Sequence, residues 1–156
     1  MTNYFSSDFK LGILGGGQLG KMLLSETRKY DIHTCVLDPS AVAPGRLASN
    51  EFFEGDLNDF ETVYNFGKKV DLLTIEIEAV NIEALEKLES EGLEIHPRPR
   101  ILRLIQDKAI QKQFYKDNNI PTSDLEIFKN KPEAVLAIAS NDWTMPVVWT
   151  AEAGGY

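Results

Sequence analysis

The run Gly15-Gly16-Gly17-Gln18-Leu19-Gly20 constrains this chain more than any other segment. It follows an apolar stretch, Phe9-Lys10-Leu11-Gly12-Ile13-Leu14, and opens a segment in which Leu19, Met22 and Leu23 recur at helical spacing until about Lys29. A strand that stops at glycines and passes into a helix matches G-x-G-x-x-G. Glycines suit that place because the chain turns sharply and a ligand must approach the backbone with no Cβ in the way. The helix start behind the turn presents free N–H groups and the positive end of a dipole, which suit a phosphate. Asp38 closes the next apolar run, where an NAD-binding fold places its ribose-binding acid. The residues alone leave three readings open: a dinucleotide site, a site for another phosphate such as a sugar phosphate, and a purely structural turn.

The rest of the first hundred residues repeats strand, turn and helix. Residues 33–37 form a second apolar run, ended by Asp38-Pro39, and residues 50–54 suit a short strand. Asn58 followed by Glu61 reads as a capping box before a stripe of Phe60, Val63 and Tyr64. Residues 70–77 are the clearest strand. Asn81 suits the N-cap of a helix that buries Ile82, Leu85 and Leu88 and closes at Glu91-Gly92, before a short strand over 93–96. Strands alternating with helices of about 10–13 residues imply βαβ units, hence an α/β fold with a Rossmann-like, doubly wound parallel sheet. From Arg100 the character shifts to helices over 101–105 and 108–117, a third starting at Pro132, and a strand over 147–149.

Composition narrows the class. Among 156 residues, 24 Asp and Glu oppose 16 Lys and Arg, a net charge of −8 that argues against a nucleic-acid or anionic-membrane partner. With 43% apolar residues the chain can bury a core. The single cysteine, Cys35, excludes an intrachain disulfide and a thiolate-rich zinc site and fits a reducing cytosol. No signal peptide and no run of about 18 apolar residues is visible, so a cytoplasmic location is expected. Cys35 reads as a small core residue, and His33 and His96 as packing or hydrogen-bonding groups. No metal-ligand spacing and no nucleophile–base grouping stands out, so no catalytic residue and no metal ligand is assigned.

Two further places carry chemistry. In Thr74-Ile75-Glu76-Ile77-Glu78, alternation along a strand puts Glu76 and Glu78 on one face at its carboxyl end, where open α/β sheets bind ligands. Glu78 is the favoured ligand contact; the bland alternative is a solvated strand end. In Gln106-Asp107-Lys108, Asp107 suits an N-cap, and a lysine in the first helical turn opposes the dipole, which suggests an anionic partner such as a phosphate.

Taken in order, the glycine loop with Lys21-Met22, Asp38-Pro39-Ser40, Thr74-Ile75-Glu76-Ile77-Glu78, Ile105-Gln106-Asp107-Lys108, Gln111-Lys112-Gln113-Phe114, Asn119-Ile120-Pro121-Thr122 and Gly154-Gly155-Tyr156 resemble the N-terminal part of the N5-carboxyaminoimidazole ribonucleotide synthetases, ATP-grasp enzymes of purine biosynthesis. The formate-dependent glycinamide ribonucleotide transformylases are a related alternative, sharing the Glu-Ile-Glu-Ala strand end and the helix close at 88–93. That family tends to carry Glu where this chain has Gln18, and serines near its end. The resemblance implies a substrate-binding preATP-grasp domain over residues 1–100 and the truncated beginning of an ATP-grasp domain over residues 101–156. It implies ATP and Mg²⁺ as cofactors, and 5-aminoimidazole ribonucleotide and bicarbonate as substrates, with a homodimer allowed for. Carried over by position, Gly15, Gly17, Gln18, Leu19 and Glu78 would meet the ribonucleotide, and Lys108 and Gly155 the nucleotide. Lys112 and Thr122 would be scaffold. Thr150 stands where the family usually carries a second ATP lysine, and the chain by itself is expected to be inactive. The rivals from other classes are an NAD-binding oxidoreductase domain and a non-catalytic ribonucleotide-binding module.

Overall fold

The computed structural model describes Tyr4 and residues 8–124, 126–128 and 130–140. Its internal contacts divide the chain into two compact units, Met1–Arg103 and Leu104–Tyr156.

In the first unit, β1 (Lys10–Leu14), β2 (His33–Asp38), β3 (Glu51–Glu54), β4 (Leu72–Ile75) and β5 (Glu94–His96) form one sheet in the order β3-β2-β1-β4-β5. Every neighbouring pair is parallel, so the doubly wound parallel sheet expected from the alternation is the one observed. The helices are α1 (Gln18–Thr27), α2 (Phe60–Gly67) and α3 (Ile82–Ser90), followed by α4 (Pro99–Gln106), which carries the boundary between the units. Two-residue alternation sorts the strand side chains between two faces. Leu14, Cys35, Leu37 and Leu73 pack with Val63 and Phe66 of α2 and Leu85 and Leu88 of α3. On the other face Ile13 and Val36 pack with Leu24 of α1.

That second face is thinly covered. α1 buries Gly20, Leu24 and Thr27, while the stripe of Leu19, Met22 and Leu23 faces outward, with Leu19 64% and Met22 58% exposed. The helical period is as expected, but the seated face is set by Gly20. A Cβ there would lie 2.7 Å from the Gly15 carbonyl oxygen, so only glycine lets α1 sit this close to the turn.

Three local expectations need correction. The N-cap of α2 is Asp59 rather than Asn58; its carboxylate accepts from the Thr62 N–H at 2.8 Å and the Thr62 hydroxyl at 2.7 Å. Asn58 instead turns back, its N–H donating to Asp56. The strand expected over 70–77 is only Leu72–Ile75. The Glu76 N–H still donates to the Leu14 carbonyl at 2.8 Å, but β1 ends there and offers no further ladder partner. Glu76 and Glu78 therefore lie beyond the strand, and alternation does not orient them. Asn81 caps α3 as expected, accepting from the Ala84 N–H at 2.9 Å, and Gly92, with φ +99°, follows its end.

In the second unit, α5 (Lys108–Asp117) starts at Asp107, whose Oδ1 accepts from the Ala109 and Ile110 N–H groups at 2.9 and 3.0 Å. Lys112 Nζ donates to Thr122 Oγ1 at 3.2 Å, tying α5 to the Ile-Pro-Thr segment. α6 (Lys131–Ser140) has Pro132 in its first turn, where a missing N–H costs nothing. The strand expected over 147–149, Thr150 and the glycine turn with Gly155 lie outside the described residues. No helix among the described residues is long and apolar enough to cross a membrane.

Candidate functional site

Because the strands are parallel, the carboxyl ends of β1, β2 and β4 open on one edge of the sheet, the edge where such sheets take ligands. The glycine turn leaves β1 there and is held from several sides. Gly15 has φ +98° and donates its N–H to the Leu37 carbonyl at 2.9 Å. The Gly16 N–H donates to Asp38 Oδ2 at 2.7 Å, and the Gly16 carbonyl accepts from the Gly45 N–H at 2.7 Å. The other oxygen of Asp38 accepts from the Ser40 N–H at 2.8 Å. Buried Asp38 is thus committed to backbone. The dinucleotide reading needed that carboxylate for a ribose, so its main supporting residue has another task.

Glu76 lies directly against the turn. A Cβ on Gly15 would fall 2.5 Å from its Oε2, and one on Gly17 would fall 3.3 Å from its Oε1. The glycines therefore make room for a carboxylate as well as for any ligand. Glu78 follows, half-buried, its carbonyl accepting from the Val80 N–H at 2.9 Å. On the other side, α1 begins at Gly17 with no side-chain cap and no acidic residue in its first turn, and Gln18 and Leu19 are exposed. An uncapped helix start is an anion site. The edge so formed holds both kinds of group: the uncapped N–H groups of the α1 start and, packed against the same turn, the Glu76 carboxylate. Such an edge suits a ligand that carries both a phosphate and hydroxyl or amine donors. Of the residues singled out from the sequence, Gly15, Gly17, Gln18 and Leu19 form the turn and the helix start, whereas Glu78 lies three residues beyond the end of β4. The sequence favours Glu78 over Glu76 as the ligand contact, and only the packing of the turn reveals Glu76 as its neighbour.

Residues 9–106 match the ribonucleotide synthetase preATP-grasp domain family. The chain belongs to that family. It is 34% identical over 134 residues to the phosphoribosylaminoimidazole carboxylase of Candida glabrata, a match covering 84% of this chain and 24% of that protein. The crystal structure of N5-carboxyaminoimidazole ribonucleotide synthetase from Thermotoga maritima is similar at a TM-score of 0.81 and 37% identity, over 94% of this chain and 39% of that one. N5-carboxyaminoimidazole synthase from Aspergillus clavatus, solved with ADP and 5-aminoimidazole ribonucleotide, matches with a TM-score of 0.69 and 34% identity, over 76% of this chain and 32% of that one. The chain therefore spans about a quarter to two fifths of the length of these relatives.

Elsewhere in this preATP-grasp chain the remaining sequence candidates divide. Lys108, half-buried at the start of α5, donates from Nζ to the Ile105 carbonyl at 3.4 Å. That carbonyl is in the last turn of α4, the negative end of a helix, which offsets the unfavourable position of the lysine on α5. Cys35 is fully buried, and burial pushes its thiol up to about 11, so it is no nucleophile at neutral pH. His96 Nε2 meets Glu94 Oε1 at 2.8 Å, and His33 Nε2 meets Glu51 Oε1 at 2.8 Å. Both histidines are hydrogen-bonded, as expected. The convergence of His33 and Cys35 on Glu51, however, has no signal in sequence spacing, because strand register brings them together.

Proposed function

We propose that this chain is the ribonucleotide-binding domain (residues 1–100) and the beginning of the ATP-grasp domain (residues 101–156) of a cytoplasmic enzyme of purine biosynthesis. That enzyme would carboxylate 5-aminoimidazole ribonucleotide, with ATP and bicarbonate, to N5-carboxyaminoimidazole ribonucleotide. The observation that carries the proposal is the uncapped start of α1 with the Glu76 carboxylate packed against the same glycine turn, half-buried Glu78 following two residues later. It supports a ribonucleotide with its phosphate at α1 and its ribose or amine toward the carboxylates. The Aspergillus relative, solved with ADP and this ribonucleotide, supports the same choice of ligands.

In this reading Gly15 and Gly17 shape the turn, Gln18 and Leu19 meet the phosphate, and Glu78 accepts from the ribose or the amine. Lys108 and Gly155 would contact the phosphates of ATP. A bicarbonate oxygen would take the γ-phosphoryl group of ATP, ADP leaving, to give carboxyphosphate; the exocyclic amine would then attack its carboxyl carbon, phosphate leaving, and the amine would lose a proton. A homodimer and Mg²⁺ belong to the same expectation. Among the described residues three metal donors converge in only one place, His33, Cys35 and Glu51. A nitrogen–sulfur–oxygen set does not suit hard Mg²⁺, so the described residues do not fit that ion and no step is routed through it.

Calorimetry on the 156-residue chain tests the proposal. It should bind 5-aminoimidazole ribonucleotide and not NADH. Glu78→Ala and Gln18→Glu should each weaken that binding roughly ten- to hundredfold, the worth of one charge-assisted hydrogen bond. Unchanged affinity in both variants would remove the site assignment. Micromolar NADH binding without ribonucleotide binding would overturn the function.

A further inference from the structure

Three donors of different chemistry meet at the amino-terminal edge of the sheet, roughly 15 Å along β1 from the glycine turn. His33 and Cys35 are two residues apart on β2, so their side chains share a face. In the parallel register of β2 and β3, Cys35 pairs with Glu51. An imidazole nitrogen, the Cys35 Sγ and a Glu51 carboxylate oxygen lie within 4.8 Å of one another.

Ligands about 2.0–2.3 Å from a tetrahedral ion stand roughly 3.3–3.6 Å apart. The donors therefore need to move by about an ångström or less, on strands whose backbone is already fixed. The triangle also has an inside and an outside. Cys35 is fully buried and forms its floor, whereas the side chains of His33 and Glu51 are 31% and 39% exposed and leave a mouth open to solvent. A fourth position would face water. Lys10 Nζ stands 2.8 Å from the same Glu51 Oε1 that meets His33 and supplies the positive charge that the carboxylate requires. Its side chain is 39% exposed, so it can swing away into solvent. Nitrogen, thiolate and carboxylate together suit a zinc-class ion and not Mg²⁺ or Ca²⁺.

We infer that His33, Cys35 and Glu51 bind a late first-row divalent cation of the zinc class. The ion displaces the Lys10 ammonium from Glu51, and the Cys35 thiol proton passes to solvent as the metal–sulfur bond forms. Bound there, the ion ties edge strand β3 to β2 and stabilises the folded unit by mass action. The inference is independent of the ribonucleotide site, which lies at the opposite edge.

Titration of the 156-residue chain with Co²⁺, followed by the thiolate-to-cobalt charge-transfer absorption and displaced by Zn²⁺, tests it. The band should appear with one equivalent, and Zn²⁺ should raise the melting temperature. Cys35→Ala should abolish the band, and His33→Ala and Glu51→Gln should each weaken Co²⁺ binding at least tenfold. Lys10→Met removes the competing cation and should tighten binding about tenfold. Should Cys35→Ala fail to fold, the two part-exposed ligand variants, checked for native circular dichroism, decide. No band at millimolar Co²⁺, or one unchanged in both His33→Ala and Glu51→Gln, overturns the site.

Discussion

Asp38 and Gly20 hold the glycine turn in shape by opposite means, one by accepting hydrogen bonds and the other by lacking a side chain. Asp38→Ala leaves the Gly16 and Ser40 N–H groups without the acceptor they meet at 2.7 and 2.8 Å. Urea unfolding should show a loss of about 2–3 kcal/mol, since a hydrogen bond to a charged acceptor contributes about 1.5–3 kcal/mol and water can replace part of it. Gly20→Ala places a Cβ 2.7 Å from the Gly15 carbonyl oxygen, a backbone atom that cannot rotate away. α1 must then lift from the turn, at a cost of about 1–3 kcal/mol in the same experiment, with weaker ribonucleotide binding. A third residue-scale prediction concerns pH. Glu91 receives Lys87, Tyr64 and Lys68, and these donors lower its carboxyl from 4.5 to about 2. The unfolded chain then takes up this proton more readily than the folded one, so the stabilisation is present above about pH 4.5 and is lost as pH falls toward 2. Melting temperatures of Glu91→Gln should therefore fall less steeply than those of the parent over that interval.

Among the elements, the helix starts are where local chemistry is easiest to test. Asn81→Ala removes the acceptor of the Ala84 N–H and also the Nδ2 donor to the Asn58 carbonyl at 2.9 Å. Chemical denaturation should show a loss of about 1 kcal/mol, as for other N-cap deletions. The caps of α3 and α5 were legible because Asn81 and Asp107 each stand directly before a helical stripe. The cap of α2 lies one residue beyond the one its capping-box pattern suggests, since Asn58 and Asp59 both suit the position. The choice of Asp59 rests on Asn58 turning back to Asp56. β4 ends earlier than its side-chain pattern suggests for a different reason. Residues 76–78 keep a strand-like pattern of side chains, but a strand persists only while a neighbour continues the ladder, and β1 stops at Leu14. Likewise the period of α1 was legible and its buried face was not, because Gly20, the residue with no side chain, makes the closest contact.

At the scale of the whole molecule, sheet order decides which distant segments share an edge. The order β3-β2-β1-β4-β5 sets β1 between β2 and β4, so the glycine turn meets Asp38 on one side and Glu76 on the other. The division after Arg103 and the family match over residues 9–106 lead to a further expectation. A fragment of residues 1–106 should fold cooperatively by itself, with amide NMR resonances that overlay those of the same residues in the full chain, apart from its last few positions. Loss of dispersion in that fragment would mean that the first unit depends on the second.

The sequence by itself determined the parallel α/β class, the glycine turn, two of the helix caps and the family. These depend on neighbours within a few residues or on motifs in linear order, where backbone geometry and hydrophobic period are local properties. Only the tertiary structure decided that Asp38 serves the backbone, that Glu76 lies on the turn, that α1 turns Leu19 and Met22 outward, and that His33, Cys35 and Glu51 converge. Each of those facts is a distance between segments far apart in the chain, set by strand order, register and close packing.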